Sequence, residues 1–270
     1  MLGIGFNFMY TTSQFLNFAY GSIYTLVAYL AYYFLRISIG VWFSYLLAMT
    51  IGVLLSILIY HFAQPQRIGS LRSAAFTIAS ALLIEGIVEE FFGENYYSFP
   101  LKSYLAGYNR ILYHTIGVPV QNQALLAASL SSATLLGVWF LLYRTKLGYG
   151  FRALALDESQ AELVGVNAKL MGFISAAVGG SLVSEASLLL SPSGVLYPDM
   201  GWVPLIEAFG VVIVGGLGSL RGTVIAALGV SLVYEVVFYL VSPVYSALVP
   251  LALAALTIAL RPNGLYGRLK

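Results

Sequence analysis

Long apolar blocks alternate with short polar connections along this chain, and the length of the blocks sets the first expectation. A helix rises ~1.5 Å per residue and a bilayer's hydrocarbon core is ~30 Å thick, so a span takes about 20 mostly apolar residues. Eight segments meet that pattern: Phe15–Leu35, Val41–Phe62, Ser73–Phe92, Ala124–Tyr143, Leu170–Leu190, Trp202–Leu217, Thr223–Val241 and Val244–Leu260. Together they predict an all-α, multi-pass transmembrane helical bundle. The sixth segment is short and holds Pro204 and several glycines, so residues 202–217 are read as a candidate re-entrant segment. The first 14 residues are not assigned to a span.

Composition agrees with the pattern. Hydrophobic residues make up 60% of the chain and charged residues 9%, with a mean hydropathy of +0.88, whereas a soluble domain carries roughly 25% charged residues. No polar stretch is long enough for a second domain, so residues 1–270 are expected to form a single membrane domain. A net charge of +2 gives no reason to expect nucleic acid as a partner. The lack of cysteine excludes disulfides, thiol catalysis and cysteine metal sites. No basic region stands ahead of an apolar run as in a cleavable signal peptide.

Charge placement adds an orientation. Lys and Arg resist translocation and collect on the cytoplasmic side. With the N-terminus inside, Arg67, Arg72, Arg144, Lys146, Arg152, Lys169, Arg221, Arg261, Arg268 and Lys270 face the cytoplasm, and Arg36, Lys102 and Arg110 face outward, ten against three. Both termini are therefore expected in the cytoplasm, together with residues 144–169. Residues 93–123, with Tyr96, Tyr97, Tyr104, Tyr108 and Tyr113, are expected to form an external loop on the membrane surface.

Helices in lipid associate through small residues and a few polar contacts. Ala176, Gly180 and Ser184 recur every four residues, Gly222, Ala226 and Gly229 lie near one face of the seventh segment, and Gly210, Gly215, Gly216 and Gly218 crowd the end of the sixth. The run GGLGSLRG, Gly215 to Gly222, lacks the Lys-Ser or Lys-Thr and the preceding strand of a nucleotide loop. It is expected to make a tight turn and close helix contacts.

Six acids, Glu85, Glu89, Glu90, Glu185, Glu207 and Glu235, fall within or at the ends of spans. An ionised side chain in hydrocarbon is costly, so Glu85, Glu185, Glu207 and Glu235, with Asn17, are candidates for a translocation path. The competing reading places them at span ends, in helix packing or against a partner. His61 and His114 stand apart with no ligand-spaced neighbour, so neither a metal site nor a catalytic triad is expected.

One window departs from its surroundings. Residues 144–169, RTKLGYGFRALALDESQAELVGVNAK, hold four basic and three acidic side chains in 26 residues. Gly148 and Gly150 permit a sharp departure from the preceding span, and Ala153 and Ala155 favour helix. Asp157 is placed to N-cap a second short helix, with Gln160 at capping-box spacing and Gly165 placed to end it. Phe151, Leu154, Leu163 and Val164 would give the two helices apolar faces. Arg152, Asp157, Glu158 and Glu162 remain for polar contacts. Such a pair could rest on lipid as an interfacial helix or insert as a knob into a cytoplasmic partner.

The run TKLGYGFRALALDESQAELVGVNAKLMGF resembles the cytoplasmic loop of permease subunits in branched-chain amino-acid ABC importers, the Liv-type permeases. FLNFAYG at Phe15–Gly21, GGLGSLRG at Gly215–Gly222 and RPNGLYG at Arg261–Gly267 agree in the same order, and the first block is closer to LivH-like than to LivM-like permeases. The resemblance implies a permease with no catalytic residue and no bound cofactor. Its implied partners are a second, LivM-like permease, two cytoplasmic LivG/LivF-like ATPase subunits carrying ATP and Mg, and an external substrate-binding protein. It also implies that the ATPase-coupling element runs from Gly148 to Gly165 and includes Phe151, Arg152, Asp157, Glu158 and Glu162.

Two departures stand out. Family members usually carry a further apolar helix before the first block, where 14 residues precede Phe15 here, and Tyr20 stands where many relatives have His. Related permeases carry urea, short amides or other amino acids. A self-contained carrier or channel would instead need an ion-coupling site among the glutamates.

Overall fold

The apolar segments fold as helices because no water within a bilayer can satisfy a backbone left unpaired. The computed structural model describes residues 1–64, 69–99 and 121–267, the side chain of Glu158 excepted. Among these, the helices are α1 Leu2–Ser13, α2 Ala19–Arg36, α3 Val41–Ala63, α4 Ser70–Phe92, α5 Asn122–Arg144, α6 Lys146–Leu156, α7 Glu158–Leu163, α8 Ala168–Leu190, α9 Trp202–Gly215, α10 Leu220–Leu240, α11 Pro243–Ser246 and α12 Val249–Leu260. Two short strands, β1 Tyr97–Ser98 and β2 Val195–Leu196, pair antiparallel, Tyr97 opposite Leu196. Of the helices, α3, α4, α5, α8 and α10 are each long and apolar enough to cross a membrane.

Helix α8 is the centre of the bundle, packed by α1, α2 and α3. Its small residues set the distance to α3: the Ser56 hydroxyl donates to the Ala176 carbonyl at 2.7 Å, and Gly180 lies against Ser56 and Val53. Ser184 lies against Gly52, where an added methyl would collide with it. At a second close crossing Gly201 meets the Gly21 carbonyl, and its N–H donates to Thr25 Oγ1 at 3.0 Å. Helix α2 holds five tyrosines, of which Tyr20, Tyr24 and Tyr29 are buried.

Several expectations change. Residues 2–13, left outside the spans, form α1, nearly all of it buried. Twelve residues reach only about 18 Å and include Asn7, Thr11 and Thr12, so a criterion of span length passes over a helix that its neighbours enclose. Residues 202–215 form one continuous helix of 14 residues, too short to count among the spanning helices, so the short sixth segment stands but is unbroken. Pro204 sits in its first turn, where no intrahelical N–H is required, and α9 leads from the Gly21–Gly201 crossing to the Gly216 turn. The eighth segment divides into α11 and α12, because Ser242 caps α11 and Pro250 lacks the N–H needed to carry that helix onward.

Helix α1 runs from a cleft to the glycine turn. Its start lines a cleft with Ala127, Leu190 and Pro204, while its Asn7 reaches the Gly216–Gly218 turn. Met1 thus lies away from the end of the bundle that holds the 144–169 window, whereas the RPNGLYG run lies at that end. For the proposed surface loop, residues 100–120 lie outside the described residues; Tyr96 is exposed and Tyr97 packs on Tyr29 and Tyr32.

Asn7 is fully buried and joins three parts of the chain. Its Nδ2 donates to Thr223 Oγ1 at 2.5 Å and to the Gly216 carbonyl at 3.4 Å, and its Oδ1 accepts from the Gly218 N–H at 2.7 Å. Gly216 and Gly218 have φ of 97° and 83°, which L side chains rarely adopt. The RPNGLYG run closes on the same turn: the Leu265 N–H donates to the Val214 carbonyl at 2.9 Å and Tyr266 N–H to Gly215 at 3.2 Å. Replacing Asn7 by Ala leaves buried partners without bonds, at a cost of about 1–3 kcal/mol. The expected result is a lower apparent Tm of the purified protein in detergent, with a larger fall than for Thr11→Ala, whose hydroxyl bonds only within α1.

Candidate coupling site

The end of α5 turns into α6 at Thr145, whose extended backbone (φ −114°, ψ 158°) redirects the chain. The Thr145 hydroxyl accepts from the Gly148 N–H at 3.2 Å and donates to the Leu141 carbonyl at 2.5 Å, so one side chain closes both helix ends. The redirection was expected at Gly148 and Gly150, yet both lie inside α6. Their role is steric. A Cβ on Gly148 would strike the Leu141 and Leu142 carbonyls, and Gly150 lies close to Met171 of α8.

Apolar residues fasten α6 and α7 to the bundle. Phe151 is buried against Phe8 of α1, ring centroids 4.5 Å apart at 62°. Leu154 is buried with Ala161 and Ala168, which joins α6, α7 and the start of α8. Phe151 and Leu154 therefore point into the protein, while Leu163 and Val164, at 88% and 78% exposure, point away from it.

The two helices meet at Asp157, which has an extended backbone. Its Oδ1 accepts from the Gln160 N–H at 3.0 Å as an N-cap does, a device worth about 1 kcal/mol. The Gln160 side chain departs from a capping box. It donates to Asp157 Oδ2 at 3.4 Å, because the Asp157 N–H it would otherwise reach is already bonded to Ala153. At the far end Gly165 has φ 90°, the Gly165 N–H donates to Glu162 and the Val166 N–H to Ala161, both at 3.0 Å. These are the two bonds of a Schellman C-cap. Glu162 is exposed beside Leu163. Asn167 then caps α8 through the Leu170 N–H.

Arg152 lies over two aromatic rings, its Cζ 4.7 Å from the Tyr149 centroid and 5.2 Å from that of Tyr143. Arg221, from the GGLGSLRG run, lies 4.8 Å from the same Tyr143 ring, and its Nε donates to Tyr143 Oη at 2.8 Å. Sequence reasoning passed over Tyr143, Thr145 and Asn7. An aromatic residue ending a span is ordinary interfacial composition, and nothing local marks its partners.

The candidate path residues are scattered. Glu85 accepts from Trp202 Nε1, and Glu185 accepts from Thr134 Oγ1 at 2.6 Å. Glu207 lines a cleft of about 330 Å³ between α1, α5, α8, α9 and α10, with Ser131 and Ser231 on its walls. Glu235 is exposed on α10, and Asn17 is buried with Oδ1 on the Ala19 N–H at 3.1 Å. No group of three His or acidic side chains able to hold a metal forms among the described residues. Of the turn glycines, Gly215 and Gly222 press backbone to backbone, and Gly218 is open apart from its positive φ.

Residues 1–258 match the family model described as "Branched-chain amino acid transport system / permease component". The chain is 25% identical over 286 residues to the high-affinity branched-chain amino acid transport system permease protein LivH of Salmonella typhimurium, covering 99% of this chain and 91% of that protein. A probable LivH of Methanocaldococcus jannaschii is 25% identical over 281 residues, 99% of this chain and 88% of that protein. The match to BraD of Pseudomonas aeruginosa is 27% over 153 residues, 56% of this chain and 50% of that protein. No solved structure matches.

The inward position of Phe151 generates a test. Phe151→Ala removes the ring packed on Phe8, a truncation that costs about 3–5 kcal/mol in a well-packed core. Hydrogen exchange over residues 146–163 is expected to accelerate strongly in this variant and to stay unchanged in Leu163→Ala, whose side chain faces outward.

Proposed function

Because the chain belongs to the family of permease components of branched-chain amino acid transport systems, we propose that it is the membrane-spanning permease subunit of an ATP-driven ABC importer, with branched-chain amino acids as substrate. ATP and Mg belong to two cytoplasmic ATPase subunits of the LivG/LivF-like kind. A second, LivM-like permease completes the path, and an external binding protein delivers the substrate. Residues 144–169 face the cytoplasm in this reading, as their Lys and Arg content favours.

The observation that carries the proposal is the construction of α6 and α7. Both ends of α7 are closed by local hydrogen bonds, the inner faces are fixed by Phe151 and Leu154, and the exposed tip presents Leu163 and Val164 beside Glu162. Two large apolar side chains at such exposure, on a rigidly capped helix, suit insertion into a protein groove. A short helix lying on lipid would keep its apolar side as one face toward the bilayer. Here that face, through Phe151 and Leu154, is spent on the bundle itself.

The stroke of the ATPases would enter at Leu163, Val164, Asp157, Glu158 and Glu162 and pass to the bundle through Phe151 on α1 and Leu154 on α8. Gly148 and Gly165 set the backbone geometry that allows this. Glu207, in the cleft between α5 and α9, is the path candidate with the most room beside it, and its carboxylate suits a substrate ammonium. Glu85 and Glu185 are tied to neighbouring donors and Glu235 faces outward, which favours packing or partner contact for these three.

Purification of the tagged chain from its native membrane is expected to bring down ATPase subunits. Recovery of a monomer or homodimer alone would sink the importer reading. Leu163→Asp combined with Val164→Asp is expected to abolish that co-purification while the permease still folds. Glu162→Lys is expected to lower ATP-driven uptake of radiolabelled leucine and isoleucine at least about tenfold, the scale of losing one interface hot spot. Uptake of urea but not of leucine would keep the transporter class and overturn the substrate.

A further inference from the structure

Two arginines that are 69 positions apart in sequence, Arg152 on α6 and Arg221 at the start of α10, converge on the ring of Tyr143 at the end of α5. The ring is braced from one turn earlier by Trp139, centroids 5.8 Å apart. No carboxylate among the described residues pairs with either guanidinium, so the aromatic contacts and the Arg221–Tyr143 hydrogen bond hold them. A guanidinium over a ring face is attracted by the ring quadrupole. A single ring contacting two cations therefore ties their helices to each other through itself.

We infer that Tyr143 is a positioning residue that passes movement of α6 to α10 and to the Gly215–Gly222 turn. The inference rests on the reading of α6 and α7 as the ATPase-facing element. Phe151 and Leu154 give α6 a route into α1 and α8. Leu220, the first residue of α10, packs at the edge of the Phe8–Leu142–Phe151 cluster, and Tyr143, packed on the same cluster, adds the aromatic and hydrogen-bonded bridge from Arg152 to Arg221. The bridge also reaches a turn that is already held by Asn7 from the other side, so a displaced Arg221 pulls on a turn with little freedom to absorb the motion.

The test uses the whole complex, with its ATPase subunits and binding protein, in membrane vesicles, and reads leucine uptake per ATP hydrolysed. Tyr143→Phe keeps both ring contacts and is expected to stay within about twofold of the parent, whereas Tyr143→Leu is expected to lower the ratio about fivefold with ATP hydrolysis continuing. An unchanged ratio in Tyr143→Leu overturns the inference. Should that variant assemble poorly, Arg152→Gln, Arg221→Gln and their double decide. A double no worse than the worse single supports a shared bridge, and losses that multiply show independent roles and overturn it. ATPase subunits retained by every variant keep the parent reading intact whichever result is found; a parent complex that retains none removes that reading instead.

Discussion

A single buried carboxamide, that of Asn7, holds together the end of the bundle to which the 144–169 window is attached. Lipid offers helices no hydrophobic reason to prefer each other over acyl chains, so shape and polar contacts decide their arrangement. Asn7 brings both. Its amide group matches the donors and acceptors of a turn made of left-handed glycines, and it does so from a helix with almost no exposed surface. Around that point the Gly215–Gly222 run and the Arg261–Gly267 run fold against each other by backbone hydrogen bonds. Two motifs separated by 38 residues become one object.

The 144–169 window is attached to this object on both sides. Phe151 packs on α1 one residue after Asn7, and Arg152 reaches Arg221 through Tyr143. Its rigidity comes from three separate devices: the Thr145 bonds, the Asp157 cap and the Gly165 Schellman bonds. A lever can pass a displacement onward only if it does not bend, and each device removes a place where it could. The outward side chains Leu163 and Val164 carry none of this internal geometry.

Much of this was legible in the chain before folding. The spans at α3 to α5, α8 and α10 follow from apolar length, and the cap positions Asp157 and Gly165 follow from local backbone chemistry, which needs only neighbours in sequence. The small-residue face of α8 was visible as a four-residue recurrence and lies on α3. Where local reasoning went astray, a distant contact was responsible. Helix α1 is too short to announce itself, and Gly148 and Gly150 looked like a turn because close approach to Leu141, Leu142 and Met171 cannot be read from sequence. Phe151 was expected among the partner-coupling residues, yet it packs on Phe8, since an amphipathic helix does not say which side its apolar face will meet.

By itself, the sequence determined that the protein is a membrane bundle, where most of its helices begin and end, and that a polar helix pair interrupts it. These are consequences of hydrophobic length and of hydrogen bonds within a few residues. Only the tertiary structure decided that Asn7 clasps the glycine turn, that Pro204 sits harmlessly at a helix start, and that Arg152 and Arg221 share Tyr143. Each of those depends on contacts between residues far apart in the chain, and in lipid such contacts arise from steric fit and polar satisfaction, which no local pattern encodes.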